Sequence, residues 1–577
     1  MGRAKRGADQ LSRVRRRAGV TSIRLEIVCR ACIVLLLLVA PVASGRSFAI
    51  LNAHVWTGDP AHPSAEAIAI EGDRIAFVGT TTEVQSRYPH TEYLDAAGQL
   101  VLPGFIDSHV HFIFGGVGLS EVRLGDVRSR AEFVARVREF AARTPRGAWI
   151  TGGRWDHTLW GGELPTRTWI DSVTEGRPAF LERLDGHMGL ANSAALAAAN
   201  VDRNTPNVVG GVIVRDADWE PTGILKDNAM DLVYARVPTP SIEEQDEALI
   251  GAMRYVNAQG VTSVHNMGAD WLELDAFARA AKAHRLTTRI YAAVPLGDWP
   301  RLRAAIDARA YGGADGRGDE WLSIGALKGF VDGSLGSHTA AMLEPYADAQ
   351  KDFGLFVHTP EELYQLIVEA DRAQLQVMVH AIGDRANRTI LDVYERVALE
   401  NGPRDRRFRV EHAQHLAQSD IPRFASLGVI ASMMPYHAIA TGRWAEGVIG
   451  PRIATTYAFR SLLDAHAIVA FGSDWSVAPA TPLEGIYAAV TRRTLDDTHP
   501  GGWVPDQKIT VEEALRAYTT EAAYAAFDET RKGRVAPGYL ADLVVIDRDI
   551  RTIPRAEIRD AVVTLTMVGG AVTFKRF

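Results

Sequence analysis

Six ionisable side chains in this 577-residue sequence have the types and spacing to hold divalent cations. His109 and His111 stand two residues apart in VLPGFIDSHVHF, so on a strand both imidazoles leave the same face. Lys328 sits among apolar residues and glycines in LSIGALKGFVD, His380 ends QVMVHAIG, His412 ends RFRVEHA, and Asp474 ends AIVAFGSDW. The intervals from Lys328 through His380 and His412 to Asp474 are 52, 32 and 62 residues, which match one, one and two strand–helix repeats. A strand-end histidine alone is more often a hydrogen-bonded rim residue, and an Asp after Gly-Ser often caps a helix. Joint placement at strand ends is what points to chemistry. Gathered in one space, such groups are costly to desolvate unless something neutralises them. One or two divalent cations would do so, and zinc accepts imidazole and carboxylate ligands. Lys328 has two readings. Its amine, freed by burial near cations, could capture carbon dioxide as a bridging carbamate, or its ammonium could pair with Asp332.

The elements needed to aim these groups are strands alternating with helices. Apolar runs at 101–112, 261–266, 287–295, 322–332, 376–383, 407–413, 428–435 and 467–475 read as eight strands. Amphipathic stretches such as IEEQDEALIGAMRYVNAQG and PEELYQLIVEADRAQ lie between most of them. This alternation predicts an α/β fold, a (β/α)8 barrel over residues 103–525, with active groups at the C-terminal strand ends. About 150 residues separate the first two strands, too many for a loop, so an inserted subdomain is expected over about 115–250. Short alternating strands at 47–102 and again at 526–577 predict one composite β-sandwich domain built from both flanks.

Composition narrows the function classes. Hydrophobic residues at 47% and charged residues at 23% suit a globular protein, and a net charge of −7 offers no field for nucleic acid. Residues 1–30 carry nine Lys or Arg against two acids, followed by the apolar run Ala31–Ala43 and then Ser44 and Gly45. That outline predicts a signal peptide or an uncleaved N-terminal anchor over 1–45, and hence an exported, periplasmic or secreted protein. An uncleaved leader would be its membrane contact. Both cysteines, Cys29 and Cys32, fall inside this segment, so the body has neither a thiol ligand nor a disulfide.

The ordered motifs LPGFIDSHVH, LKGFVDGSLGSHTA, VHAIGDRA, VEHAQ and FGSDW resemble the amidohydrolase superfamily. More closely they resemble its family 3 branch of N-substituted formamide deformylase-like proteins. KGRVAPGYLADLVVID is similar to that superfamily's return into its β domain. The resemblance implies that His109, His111 and Asp474 bind the more buried metal, and that a carbamylated Lys328 bridges to a second metal on His380 and His412. It implies hydrolysis of a C–N amide-type bond in a small molecule, such as an N-substituted formamide or N-acyl amine. Asp474 would take a proton from the nucleophilic water and deliver it to the leaving nitrogen. Arg154, Trp155, His187 and His338 are the expected substrate contacts; His157, His265 and His437 carry no comparable constraint. The chain departs from the branch at Met434-Pro435, where relatives show Gln-Pro. Ester, lactone or cyclic-amide hydrolysis remains open on the same centre, as does an exported metal- or solute-binding protein on a retired scaffold. A homodimer is compatible with the sequence.

Overall fold

The computed structural model describes residues 47–576, so the expected leader over 1–45 lies outside the described residues. At the centre is one eight-stranded parallel sheet whose neighbours follow chain order. Its strands are β1 (Phe105–Val110), β2 (Val261–Asn266), β3 (Arg289–Pro295), β4 (Leu322–Phe330), β5 (Gln376–Ala381), β6 (Arg409–His412), β7 (Ile430–Met433) and β8 (Val469–Phe471). The ring closes just beyond β8. Val110 forms a parallel bridge with Trp475, and the Asp474 N–H donates to the His109 carbonyl at 2.7 Å. The expected barrel is present, with each strand inside its predicted run.

The connecting helices follow from local sequence. In the helix Ile242–Asn257, Ser241 accepts from the Glu244 N–H while the Glu244 carboxylate accepts from the Ser241 N–H. Thr359 and Glu362 repeat this reciprocal cap ahead of Pro360–Arg372. Such caps satisfy donors that the first turn leaves free, each contributing about 1 kcal/mol. The helix Ile242–Asn257 buries Ala248, Leu249, Ala252, Met253 and Val256 into the barrel core, a spacing that keeps one face inward. The expected insertion of about 115–250 therefore runs into a barrel helix at its end.

Two further layers position the site. The inserted sheet has six strands, in the order Gly211–Arg215, Pro221–Asp227, Met188–Ala191, Phe180–Arg183, Gly152–Trp155, Val122–Arg123. A second six-stranded sheet joins both flanks of the barrel: Leu100–Pro103 pairs antiparallel with Leu543–Ile546. This sheet packs on a four-stranded sheet of residues 47–95 through Ile50, Ile68, Val101, Leu543 and Leu565. Among the described residues, no helix is long and apolar enough to cross a membrane.

Candidate metal centre and substrate cavity

The strand ends bring one compact set of ligand atoms together. His109, His412 and Asp474 each offer an atom within 4.8 Å of the other two, and all three residues are buried. Asp474 Oδ1 lies 3.4 Å from both His109 Nε2 and His111 Nε2. Lys328 Nζ lies 3.5 Å from His109 Nε2. The His380 ring packs edge-on against His412 at 4.5 Å between centroids, and its Nε2 donates to the Gly333 carbonyl at 3.0 Å. His111, His380 and Lys328 thus surround the compact triad.

Local sequence explains the tight assembly. Gly472 lies where β8 passes β1, and a Cβ there would come within 2.5 Å of the His109 backbone nitrogen. Only glycine allows that approach. The next residue, Ser473, donates its N–H and hydroxyl to the two Asp107 oxygens at 2.8 and 2.5 Å, locking the turn that presents Asp474. Asp474 and His412 have φ of 60° and 74°, left-handed values uncommon for residues with a Cβ. Such strain tends to persist at functional sites, where surrounding structure over-determines it.

Beneath the triad lies a charged support that the sequence reading missed. His109 Nδ1 is 2.6 Å from Glu411 Oε2, with both side chains fully buried. Arg409 Nε lies 2.8 Å from Glu411 Oε1, and its Nη groups reach the Ser108 carbonyl, the Ser432 hydroxyl and His265 Nδ1. A carboxylate on Nδ1 leaves His109 Nε2 facing the centre, the arrangement that orients metal-binding imidazoles. Neighbouring strand residues normally face opposite sides. The positive φ at His412 ends that alternation, which lets consecutive Glu411 and His412 serve the same centre.

Electrostatics suits a cation. Burial holds the His109, His380 and His412 pKa values well below the ordinary imidazole range, so their nitrogens keep lone pairs. Burial lowers Lys328 to about 8, with Glu411 and Asp474 opposing. For Asp474, burial pushes upward, but the three imidazoles of His109, His111 and His437 outweigh it and hold the carboxyl below its usual range. His412 Nδ1 and His437 Nε2 are buried without a hydrogen-bond partner. Unpartnered buried nitrogens beside an anionic carboxylate fit a bound divalent metal.

The centre opens into a cavity of about 120 Å³. Its inner end is formed by His111, Lys328, His380, His412, His437 and Asp474, and its outer wall by Asp156, Arg183, Asp185 and Arg443. His187 also lines it, its Nδ1 2.7 Å from Asp227 Oδ1 and its ring 4.9 Å from His380. Burial pushes the His187 pKa down, but the Asp227 hydrogen bond and charge, with Asp185, leave it raised.

Three expected substrate contacts lie elsewhere. Trp155 is fully buried in the core of the insertion, and its indole N–H donates to the Leu181 carbonyl at 2.7 Å. Arg154 turns to Glu182 Oε2 at 3.2 Å and covers the Phe114 ring at 4.1 Å. His338 stacks on Tyr346 at 4.5 Å and pairs with Asp348 at 3.3 Å. The adjacent Asp156 is the residue that reaches the cavity, because alternation along the strand Gly152–Trp155 and the residue after it sends Trp155 inward. Met434, at the departure from the branch pattern, is buried and does not line the cavity. His437, three residues on, does line it, 3.9 Å from Asp474 Oδ2.

The amidohydrolase family model matches residues 92–574. The chain is 40% identical to "Protein LONG AFTER FAR-RED 3" of Arabidopsis thaliana, over 88% of each chain. It is 29% identical to "N-substituted formamide deformylase" of Arthrobacter pascens, over 92% of this chain and 99% of that one. Among solved structures, an uncharacterized metal-dependent hydrolase from Pyrococcus horikoshii superposes with a TM-score of 0.72 at 26% identity, covering 88% of this chain and 99% of that one.

Proposed function

Since the chain belongs to the amidohydrolase family of metal-dependent hydrolases, we propose that it cleaves a C–N amide-type bond in a small N-acyl or N-formyl amine. The observation carrying this reading is the buried His109–His412–Asp474 triad, opening into a cavity closed on its inner side by further ligand-type groups. The deformylase relative supports the choice of bond. His109, His111 and Asp474 would hold one divalent ion, zinc by its ligand chemistry. His380, His412 and a carbamylated Lys328 would hold a second. Bound cations supply Lewis acidity for the scissile carbonyl and lower the pKa of a water from about 15.7 towards 7.

The chain's own residues do the rest. Glu411 keeps the His109 Nδ1 proton, so Nε2 faces the centre. Asp474 Oδ1 faces His109 and His111, whereas Oδ2 faces His437 across 3.9 Å. Oδ2 is therefore the atom placed to accept the proton of the attacking water and return it to the leaving nitrogen. An amine leaves far more readily protonated than as an amide anion, so this delivery is needed for C–N cleavage. His187, held by Asp227, forms the side wall beside His380.

The test is metal analysis of the purified protein with a hydrolysis panel of N-formyl amines, N-acyl amino acids and aryl esters, before and after chelation. The expected result is about one to two divalent ions per chain and chelator-sensitive cleavage of amides above esters. Cleavage that survives complete metal removal, or is confined to esters, would overturn the proposal.

A further inference from the structure

We propose that the substrate bears a carboxylate at the end remote from its scissile bond, and that Arg443 receives it. This rests on the hydrolase reading and adds the substrate class. The cavity has two unlike polar ends. The cavity is also lined by apolar side chains, including Leu184, Leu335, Ile382 and Val477. A substrate spanning it needs a polar group at each end and an apolar spacer.

The outer wall is short of acceptors. Arg443 donates Nε to the Ala440 carbonyl at 2.9 Å and Nη2 to Asp156 Oδ2 at 3.1 Å; its Nη1 has no partner among the described residues. Asp156 is already shared. Its Oδ1 lies 3.5 Å from Arg183 Nη2 and accepts from the Thr158 N–H and hydroxyl. Asp185 accepts from Arg183 at 2.5 Å, from the Ser334 hydroxyl and from the His187 N–H. Two guanidiniums and two carboxylates balance, so the wall alone is neutral. A divalent cation at the inner end exceeds the single charge of Asp474 and makes the loaded cavity positive. An anionic ligand end then completes both charge and hydrogen bonding, and a guanidinium edge pairs best with a carboxylate. Arg443 lies just beyond Gly442, the cap of the helix Pro435–Thr441 that carries His437, and its guanidinium contacts Asp156 rather than a ligand-type group. A ligand that reaches both the ligand-type groups and Arg443 therefore needs a spacer between its two polar ends.

Two measurements on the full-length, metal-loaded protein test this. Hydrolysis of N-formyl-5-aminopentanoate is compared with that of N-formylpentylamine. Calorimetric binding of adipate is compared with that of hexanoate, which has the same carbon count but one carboxylate. The member with the additional carboxylate, N-formyl-5-aminopentanoate or adipate, should be favoured about tenfold or more in kcat/KM and in Kd. Arg443→Leu should bring both ratios to about one, and Arg443→Lys, which keeps a point charge, should retain part of the preference. Equal values within each wild-type pair, or a preference that survives Arg443→Leu, would overturn the proposal. Selective adipate binding through Arg443 without cleavage of any amide would leave the anion site standing and remove the hydrolase reading instead.

Discussion

The inner end of the cavity takes its side chains from the ends of barrel strands, with His437 added from the helix after β7; the outer wall takes them from the insertion and from Arg443 beyond that helix. Inside, His109, Glu411 and Arg409 are fully buried; His109 and Glu411 orient each other across strands, and Arg409 is held by His265 and Ser432 on two others. Outside, Arg183, Asp156 and Arg443 make a lattice across two structural layers, with guanidinium donors to spare. The difference separates two jobs. The strand-borne groups form a buried, mutually oriented ligand set. In the proposed reading the wall groups select what enters, and they could change without dismantling the centre.

The largest effect expected from breaking this division is at the inner end. Asp474→Asn keeps size but removes the proton acceptor at Oδ2. It should lower kcat by about 10³-fold, measured at saturating zinc so that altered metal affinity is not mistaken for lost proton transfer. A variant within tenfold of wild type would show that another group carries the proton.

Glu411→Gln tests the support rather than the chemistry. It leaves Arg409 and His109 without their shared buried carboxylate, which should cost about 3–5 kcal/mol of stability. Metal affinity should fall about 10–100-fold, read by competition with a chelator. Unchanged metal affinity in a destabilised protein would reduce Glu411 to a packing role.

Gly336→Ala sharpens the contrast from the other side. A Cβ at this position would come within 2.5 Å of both Arg183 Nη atoms. Displacing that guanidinium should raise KM about tenfold, since one or two wall hydrogen bonds are lost. Metal content should stay at the wild-type value. A fall in metal content would mean that the wall and the centre are one mechanical unit.

The same division decides what could be read in the sequence. His109, His111, Lys328, His380, His412 and Asp474 were legible because strand period and repeat length dictate where each side chain ends up. The barrel was legible for the same reason: its eight apolar runs recur at strand–helix intervals. Glu411 was obscured because alternation places it opposite His412, and only the left-handed backbone at His412 lets both reach the centre. The wall was harder still. Asp156, Arg183 and Asp185 belong to strand ends and turns of the insertion, where tertiary packing sets direction. RWD and LDGH in the sequence held these residues, but nothing local distinguished Asp156 from Trp155 beside it, or Asp185 from His187. His437 sits in a helix whose orientation depends on docking after β7.

The smallest effect is expected at His338, whose GSLGSHTA motif makes it look functional. Its ring is engaged in stacking on Tyr346 at 4.5 Å with an interplanar angle of 9°, and its Nε2 faces the partly exposed Asp348. Neither contact reaches the cavity. Burial also pulls its pKa down, with Asp348 opposing, so a large favourable charge on the ring is not expected. His338→Ala should therefore leave kcat/KM within about twofold, with a stability loss of about 1 kcal/mol from the missing stack. The backbone φ of 54° at this position favours Asn or Gly over other replacements, so His338→Asn should lose less stability than His338→Ala. A tenfold drop in kcat/KM for both variants, with metal content intact, would extend the wall to this loop. The boundary between selective and structural residues would then have to be drawn farther out.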